Sequence, residues 1–113
     1  MNAEDLQKND IRFWGIVKNR VLKYYSDYSC CLWAIVVDDE VKYLGETEDS
    51  IFKRINKFIN WNNPSSCNFK DLHDFILGNE LIEIYVKPMK SKLDIKKEKS
   101  HIKKMYKLKN TIK

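Results

Sequence analysis

The sequence predicts a small α/β (α+β) domain with a three-stranded, mainly antiparallel sheet flanked by helices. Two observations support this fold class. Apolar residues recur at helical spacing in several segments, and three short runs are rich in β-branched and aromatic residues. A chain of 113 residues with 43% hydrophobic and 33% charged residues fits one globular unit with a modest core.

The first predicted element is a helix near the N-terminus. Ile11, Trp14, Val21, Leu22 and Tyr25 repeat at helical spacing, which predicts an amphipathic helix over residues 10–26. We therefore expect an N-terminal helical extension over residues 1–28, followed by the main domain over residues 29–113.

The main domain is predicted to open with a hairpin. Residues 30–37 and 41–45 are β-rich, and the acidic residues between them form the turn. The remaining elements are a helix over 51–60, a short helix over 69–77 closed by Gly78, a strand over 81–86 ended by Pro88, and a helix over 93–108.

The positive charge lies mostly near the C-terminus. The chain carries a net charge of +5, and residues 90–113 hold ten lysines against Asp94 and Glu98, a local balance of +8 that leaves −3 for the remainder. Such a segment attracts phosphate backbones, although a solvated helix face is the alternative explanation. No apolar run approaches the roughly 18 residues of a membrane span, and the acidic start is unlike a signal peptide, so an intracellular (cytoplasmic) protein is expected.

The cysteine pattern favours free thiols. Cys30, Cys31 and Cys67 are odd in number and form no C-x-x-C pair, which argues against a disulfide framework. Buried thiols in a reducing compartment are the expected state. A zinc site built from Cys31, Cys67 and His73 is the alternative.

Glu98 and Arg54 are the residues most indicative of chemistry. Glu98 follows Ile95 by three positions and precedes Ile102 by four, which places its carboxylate on the inward face of the last helix. A carboxylate in that position must be ion-paired, hydrogen-bonded or metal-bound. Arg54, on the helix after the hairpin, could pair with it or bind a phosphate bidentately.

Two stretches resemble the GIY-YIG nuclease superfamily. Tyr43-Leu44-Gly45-Glu46-Thr47, with Arg54 on the next helix, is similar to the second motif of that family. Glu98-Lys99-Ser100-His101-Ile102-Lys103-Lys104, with Asn110 twelve residues after the glutamate, is similar to its final helix. The resemblance covers residues 30–110 and leaves the N-terminal segment outside.

The resemblance implies a metal-dependent phosphodiesterase. Glu98 would hold one divalent cation, Mg²⁺; Arg54 would stabilise the pentacovalent phosphate; and Tyr43 would position water or act as a substitute base. Lys42, Lys57, Lys103 and Lys104 would contact nucleic acid, DNA rather than RNA. The sequence departs from the family at Trp33, which stands where the family has the tyrosine of its first motif, and tryptophan cannot accept a proton from water.

Other conspicuous residues have two explanations each. Trp33 is expected in the core, with base stacking as the alternative. His101 is expected to be a surface residue, with a second metal ligand as the alternative. The aromatic cluster of the N-terminal segment is expected to pack or to form a dimer face, with a nucleic-acid platform as the alternative; its members are Phe13, Trp14, Tyr24, Tyr25 and Tyr28.

Two functions from different classes follow. The first is a GIY-YIG-type endonuclease that uses Arg54, Glu98 and Mg²⁺. The second is a catalytically inactive protein derived from such a nuclease, which binds nucleic acid or another protein, for example as an inhibitor. The missing tyrosine favours the second, and the retained arginine and glutamate favour the first. A homodimer is compatible with either.

Overall fold

The computed structural model describes residues 1–60 and 67–108, with the backbone alone at 67–69. In chain order the elements are α1 (Ala3–Lys8), β1 (Arg12–Lys18), β2 (Val21–Tyr24), β3 (Ser29–Val37), β4 (Glu40–Ser50), α2 (Ile51–Ile59), α3 (Cys67–Gly78), β5 (Leu81–Pro88) and α4 (Lys92–Tyr106). No helix in these residues is long and apolar enough to cross a membrane.

The strands form one antiparallel sheet in the order β2-β1-β5-β3-β4. The sequence predicted three of these strands, β3, β4 and β5. The other two belong to the N-terminal segment. Strand β5 lies in the centre, which explains why residues 82, 84, 85 and 86 are buried. The mixed α+β class is therefore confirmed, with a larger sheet than expected.

The predicted N-terminal helix over residues 10–26 is wrong, because this segment forms the β1–β2 hairpin. Its turn consists of Asn19 and Arg20, both at positive φ (50° and 68°), as two-residue hairpin turns of the primed type require. Strand β1 then pairs with β5 over most of its length. The only helix ahead of it is the short α1.

The predicted β3–β4 hairpin is confirmed, and β4 is longer than expected. Asp38 and Asp39 form the turn at φ of 51° and 61°, a conformation that aspartate tolerates better than most residues. Strand β4 continues to Ser50, where α2 begins without an intervening loop. The second motif therefore lies along an edge strand of the sheet.

The helices cover both faces of the sheet. On one face, α2 and α3 pack against Trp33 and Ile35, through residues that include Ile55 and Ile76. On the other face, α1 and α4 pack against a second cluster whose buried members are Leu6, Ile11, Leu32, Ala34, Val36, Val41, Leu44, Tyr85, Ile95 and Ile102. Each face of β3 thus feeds a different core, as alternation along a strand dictates.

Helix α4 matches its prediction closely. It begins after the N-cap Ser91, whose side chain accepts a hydrogen bond from the Asp94 N–H, and it ends at Lys107 in the left-handed conformation. Ile95 and Ile102 are fully buried, and Glu98 lies between them with its side chain 22% exposed. The inward position of Glu98 read from the spacing is confirmed.

Candidate functional site

A cleft of about 400 Å³ opens at the free edge of β4, between α2 from one face of the sheet and the first turns of α4 from the other. Four of its lining residues are cationic: Lys53, Arg54, Lys57 and Lys92. The remaining lining residues are Glu46, Thr47, Glu48, Asp49 and Ile95. The cleft thus carries four cations against three carboxylates, and Lys92 lies 2.9 Å from Glu48 as an ion pair. Its positive potential, which would attract an anionic ligand, therefore comes from the three cations of α2.

Helix α2 is anchored so that its polar side faces the cleft. Ser50 is its N-cap and accepts a hydrogen bond from the Lys53 N–H, while its hydroxyl donates to Asp27. Asp27 also accepts from the Phe52 N–H. Burial tends to raise the pKa of Asp27, but these hydrogen bonds and the charge of Lys53 outweigh it and lower the pKa below its usual value.

Arg54 is held against the core as well as against the cleft. Its guanidinium lies 5.3 Å from the centroid of the Phe58 ring, within the range of a cation–π contact. Phe58 is fully buried one helical turn later, so the ring fixes the arginine stem. Arg54 is therefore positioned rather than loosely solvated, which suits directed binding of a phosphate.

Trp33 fills the space beside the second motif. It is 1% exposed, and its ring centroid lies 5.3 Å from that of Tyr43 and 5.9 Å from that of Phe58. A Cβ on Gly45 would lie 2.5 Å from Cζ2 of Trp33, so only glycine fits opposite this indole. The prediction that Trp33 is a core residue is confirmed.

Neither aromatic side chain at this point is a strong base. Burial raises the pKa of Tyr43; the charge of Arg54 lowers it in part, and Glu46 raises it further. The phenol is therefore protonated at neutral pH. The Trp33 Nε1–H is buried and has no hydrogen-bond partner among the described residues, and an indole can only donate.

Glu98 Oε2 lies 3.4 Å from Nζ of Lys87 on β5, so the two side chains form an ion pair. Both side chains are roughly a quarter exposed. Lys87 and Glu46 both pair with Leu32 in the sheet, so they flank β3 on the face that α4 covers. Arg54 belongs to α2, on the other face. The structure therefore brings Arg54 and Lys57 into one cleft and places Glu98 one turn beyond the cleft residue Ile95.

Two polar residues of this region were missed by the sequence argument. Lys99 is partly buried on α4, and its pKa lies below the usual value. Burial is the main cause and the charge of Lys103 adds to it, while the charge of Glu46 opposes both. Its signal was available, because residue 99 lies four after Ile95 and three before Ile102, on the same stripe as Glu98. Glu46 was given no role of its own in the sequence argument, and it lines the cleft.

No protein-family model matches the chain. No curated protein matches it either. Among solved structures, a mutant of EndoII from bacteriophage T4 matches with a TM-score of 0.68 and 20% identity, over 92% of this chain and 93% of that one. The restriction endonuclease HPY188I in complex with product DNA matches with a TM-score of 0.58 and 12% identity, over 94% of this chain and 79% of that one.

The chain has an endonuclease fold. Both similarities extend over more than nine-tenths of the chain, so they include the N-terminal hairpin as well as the predicted main domain. At these identities the likeness establishes the architecture alone.

Within this endonuclease fold, the predicted lysines are dispersed. Lys57 lines the cleft, whereas Lys42 lies 3.0 Å from Glu40 near the β3–β4 turn. Lys103 is partly buried, and Lys104 is exposed. Lys104 lines a shallow groove on the outer side of α4, together with Lys96, Lys97, Ser100 and His101.

The remaining expectations divide between described and undescribed residues. His101 is exposed, as expected of a surface histidine. Cys31 is fully buried, and His73 Nδ1 lies 2.6 Å from the Phe58 carbonyl oxygen. No group of three or more His, Cys, Asp or Glu side chains within residues 1–60 and 70–108 is arranged to hold a metal ion. The Cys67 side chain and Asn110 lie outside the described residues.

Proposed function

We propose that the protein is a metal-dependent nucleic-acid phosphodiesterase, an endonuclease of the GIY-YIG type. The observation that carries the proposal is the position of Arg54, which packs on Phe58 and, with two lysines of α2, lines a cleft in a fold shared with two endonucleases. DNA is the favoured substrate, because the second structural neighbour is described with product DNA.

The cleft cations supply the electrostatic part of the mechanism. A phosphodiester that enters the cleft meets the Arg54 guanidinium, which can form two parallel charge-assisted hydrogen bonds to its oxygens. Lys53 and Lys57 lie on the same helix and add positive potential at the cleft surface. Donors fixed before the reaction stabilise the charge that develops on phosphorus without reorganising.

Glu98 is the proposed metal ligand, and its donor chemistry fits Mg²⁺. This ion is commonly bound through one or two carboxylates, with water and substrate phosphate oxygens completing its shell, so a single partly buried carboxylate suffices. When bound, the ion supplies charge neutralisation at the phosphate and its leaving oxygen. Lys87 holds the carboxylate in its inward position, and the dication must compete with the ammonium group for it.

Tyr43 is assigned to positioning rather than to proton abstraction. Its raised pKa keeps the phenol protonated, so the hydroxyl can orient water or a phosphate oxygen by a hydrogen bond but is a poor acceptor for a proton. Trp33 can only donate. We therefore expect slow chemistry, or a solvent-derived base, in comparison with a site that retains a tyrosine in the first motif.

The second candidate is an inactive relative that binds nucleic acid or a protein. Trp33 and the Lys87–Glu98 ion pair support it. Trp33 removes the base that the family resemblance implies, and the Lys87–Glu98 ion pair satisfies the inward carboxylate without any metal. In this alternative the cleft binds a phosphate backbone and does not cut it. A homodimer or an inhibitory role belongs to this alternative too.

Plasmid nicking in Mg²⁺ or Mn²⁺ tests the proposal. We expect the wild type to nick DNA, and Arg54→Ala and Glu98→Gln to lose about 10²-fold or more of the rate, as removal of one charge-stabilising group does. Glu4→Gln and Lys8→Ala on α1 are matched controls that should keep the wild-type rate. If the wild type leaves DNA and RNA intact while it still shifts them in a gel, the inactive relative is correct.

A further inference from the structure

Four aromatic side chains stand exposed at the N-terminal end of the domain. Phe13, Tyr24, Tyr25 and Tyr28 are 39%, 40%, 78% and 42% exposed, and we refer to them together as the aromatic surface. Contiguous exposed aromatic groups are unusual on a soluble domain and mark a site of contact. The proposed phosphodiester chemistry makes no use of them.

Neighbouring rings support Phe13, Tyr24 and Tyr25 of the aromatic surface. Tyr24 stacks on Trp14 at a centroid distance of 5.0 Å, and Trp14 is 2% exposed with its Nε1–H donated to the Ser26 carbonyl. Phe13 meets Tyr25 edge to face at 5.9 Å. Strand β2 lies close over β1 at Gly15, where a Cβ would overlap the Lys23 carbonyl oxygen. Preorganised rings bind with little loss of conformational entropy.

Charge selects the kind of partner. Lys23 lines one groove with Phe13, Tyr24 and Tyr25, and Arg12 lines a second groove with Phe13 and Tyr28. The acid of that second groove, Asp10, lies 3.5 Å from Arg12 and is ion-paired with it. Aromatic rings interleaved with arginine and lysine are the pattern of surfaces that stack bases while tracking a phosphate backbone.

The aromatic surface contacts the start of α2, the helix that carries Arg54. Tyr24 lies 5.1 Å from Phe52 at the start of α2, and the Ile51 N–H donates to the Tyr28 carbonyl at 2.8 Å. Lys53 lines the cleft and is near enough to Asp27 to lower the pKa of that carboxyl group. Residues 24–28 thus connect the exposed rings to the helix that carries Arg54.

We propose that the aromatic surface stacks unpaired bases of the strand whose phosphate occupies the cleft. This inference rests on the proposed function, and it names the substrate class: nucleic acid with a single-stranded segment beside the scissile bond. Every base has a flat face, so such stacking tolerates any sequence. A fully paired duplex offers no free base faces to Tyr25 and Tyr28.

Binding in EDTA tests the inference separately from cleavage. Fluorescence anisotropy would compare a single-stranded oligonucleotide, a blunt duplex of the same sequence and a duplex with a flap. We expect Tyr25→Ala to weaken single-strand and flap binding about 5- to 150-fold, with duplex binding unchanged. Tyr25→Phe retains the ring and should bind like the wild type. Leu93→Ala, an exposed apolar residue of α4, is the control.

The outcomes separate this inference from the endonuclease proposal. Equal losses on duplex and single strand, or no loss in Tyr25→Ala, would overturn the stacking role even if plasmids are nicked. Self-association of the wild type that Tyr25→Ala abolishes, without any effect on single-strand binding, would assign the surface to a protein contact instead. A selective single-strand loss in a protein that cuts nothing would support the stacking role and overturn only the nuclease.

Discussion

Trp33 on β3 and Gly45 on β4 face each other, and the indole leaves no room for a side chain at position 45. The indole occupies the space that any side chain at position 45 would need, and Cε2 of the ring lies 2.6 Å from the place of a Cβ. The glycine of the Tyr-Leu-Gly motif is therefore required here by packing. The same contact explains how β3 accommodates an indole at position 33.

Gly45→Ala should destabilise the protein by about 1–3 kcal/mol, the usual cost of overpacking a close-packed core. Urea denaturation followed by tryptophan fluorescence measures it. Gly78→Ala is the matched control, because a Cβ at residue 78 meets nothing within 4 Å and the residue has no positive φ. The control should be neutral or slightly stabilising. Equal effects at both glycines would contradict the packing argument.

The Lys87–Glu98 pair makes metal binding measurable without activity. Replacing Lys87 by methionine removes the cation that competes for the carboxylate, so Mg²⁺ should bind about tenfold more tightly, worth about 1.4 kcal/mol. Thermal unfolding with and without millimolar MgCl₂ reports this as a larger upward shift in Tm. Glu98→Gln should show no shift. An identical response in wild type, Lys87→Met and Glu98→Gln would refute a metal site at Glu98.

Cys31 predicts an alkaline limit to stability. Burial, assisted by Cys30 and Asp27, raises the pKa of its thiol from 9.0 to about 12. Above pH 9 the unfolded thiol ionises while the folded one stays protonated, so the unfolded state is favoured as pH rises. The free energy of unfolding then falls by about 1.4 kcal/mol for each pH unit. Cys31→Val, similar in size, should lack this slope in urea titrations from pH 9 upward; parallel slopes would argue against it.

At the scale of single residues, the positions of side chains could be predicted from the sequence, but their partners could not. The i+3 and i+4 spacing of Glu98 to its apolar neighbours predicted an inward carboxylate, because helix periodicity alone decides that. It could not name Lys87, which lies on another element and reaches Glu98 only through the β3–β5 register. The sequence argument named Arg54 as a possible partner of Glu98, whereas the structure pairs Glu98 with Lys87.

The N-cap of helix α2 also binds a residue from a distant part of the chain, and this fixes the position of the helix. The Ser50 hydroxyl accepts a hydrogen bond from the Lys53 N–H at the start of the helix and donates one to Asp27. Asp27 lies in the segment that follows β2. Side chains that cap a helix and also bind another element fix its direction as well as its start. The direction of α2 sets where Arg54 points.

Ser50→Ala should therefore cost more than an ordinary cap. We expect about 1–2 kcal/mol of stability lost, at the upper end for N-cap serines, because the hydrogen bond to Asp27 is lost too. Ser91→Ala on α4 is the matched control, since Ser91 caps through a single bond at an exposed site, and it should cost less. A chemical denaturation series gives both values; equal costs would mean that Asp27 contributes nothing.

The mistaken N-terminal helix shows where periodicity misleads. Apolar residues at 11, 14, 17 and 21 fit a helix, yet residues 14 and 17 are also buried along a strand that a register shift between Phe13 and Gly15 distorts. The turn that decides the matter is Asn19-Arg20, and an arginine at positive φ gives no warning in the sequence. Asp38-Asp39, a conventional turn pair, was recognised.

On the scale of the whole molecule, residues 1–28 contribute α1, β1 and β2 to the endonuclease fold. Deleting them should leave β5 with an open edge and uncover the core around Ala34 and Tyr85 that Leu6 helps to close. We expect the shortened protein to aggregate or to lack cooperative unfolding, in size-exclusion chromatography and circular dichroism. A monomeric, cooperatively unfolding fragment over 29–113 would support the division at residue 28 that the sequence suggested.

The central place of β5 has a consequence for how the protein is made. Two hairpins, β1–β2 and β3–β4, leave the ribosome first, and the sheet order places β5 between them. Neither can complete its pairing until residues 81–88 have been synthesised. The decisive contacts are therefore distant along the chain, which slows folding and leaves two unpaired edges exposed during translation. Those edges are open to pairing with the wrong strand until β5 arrives.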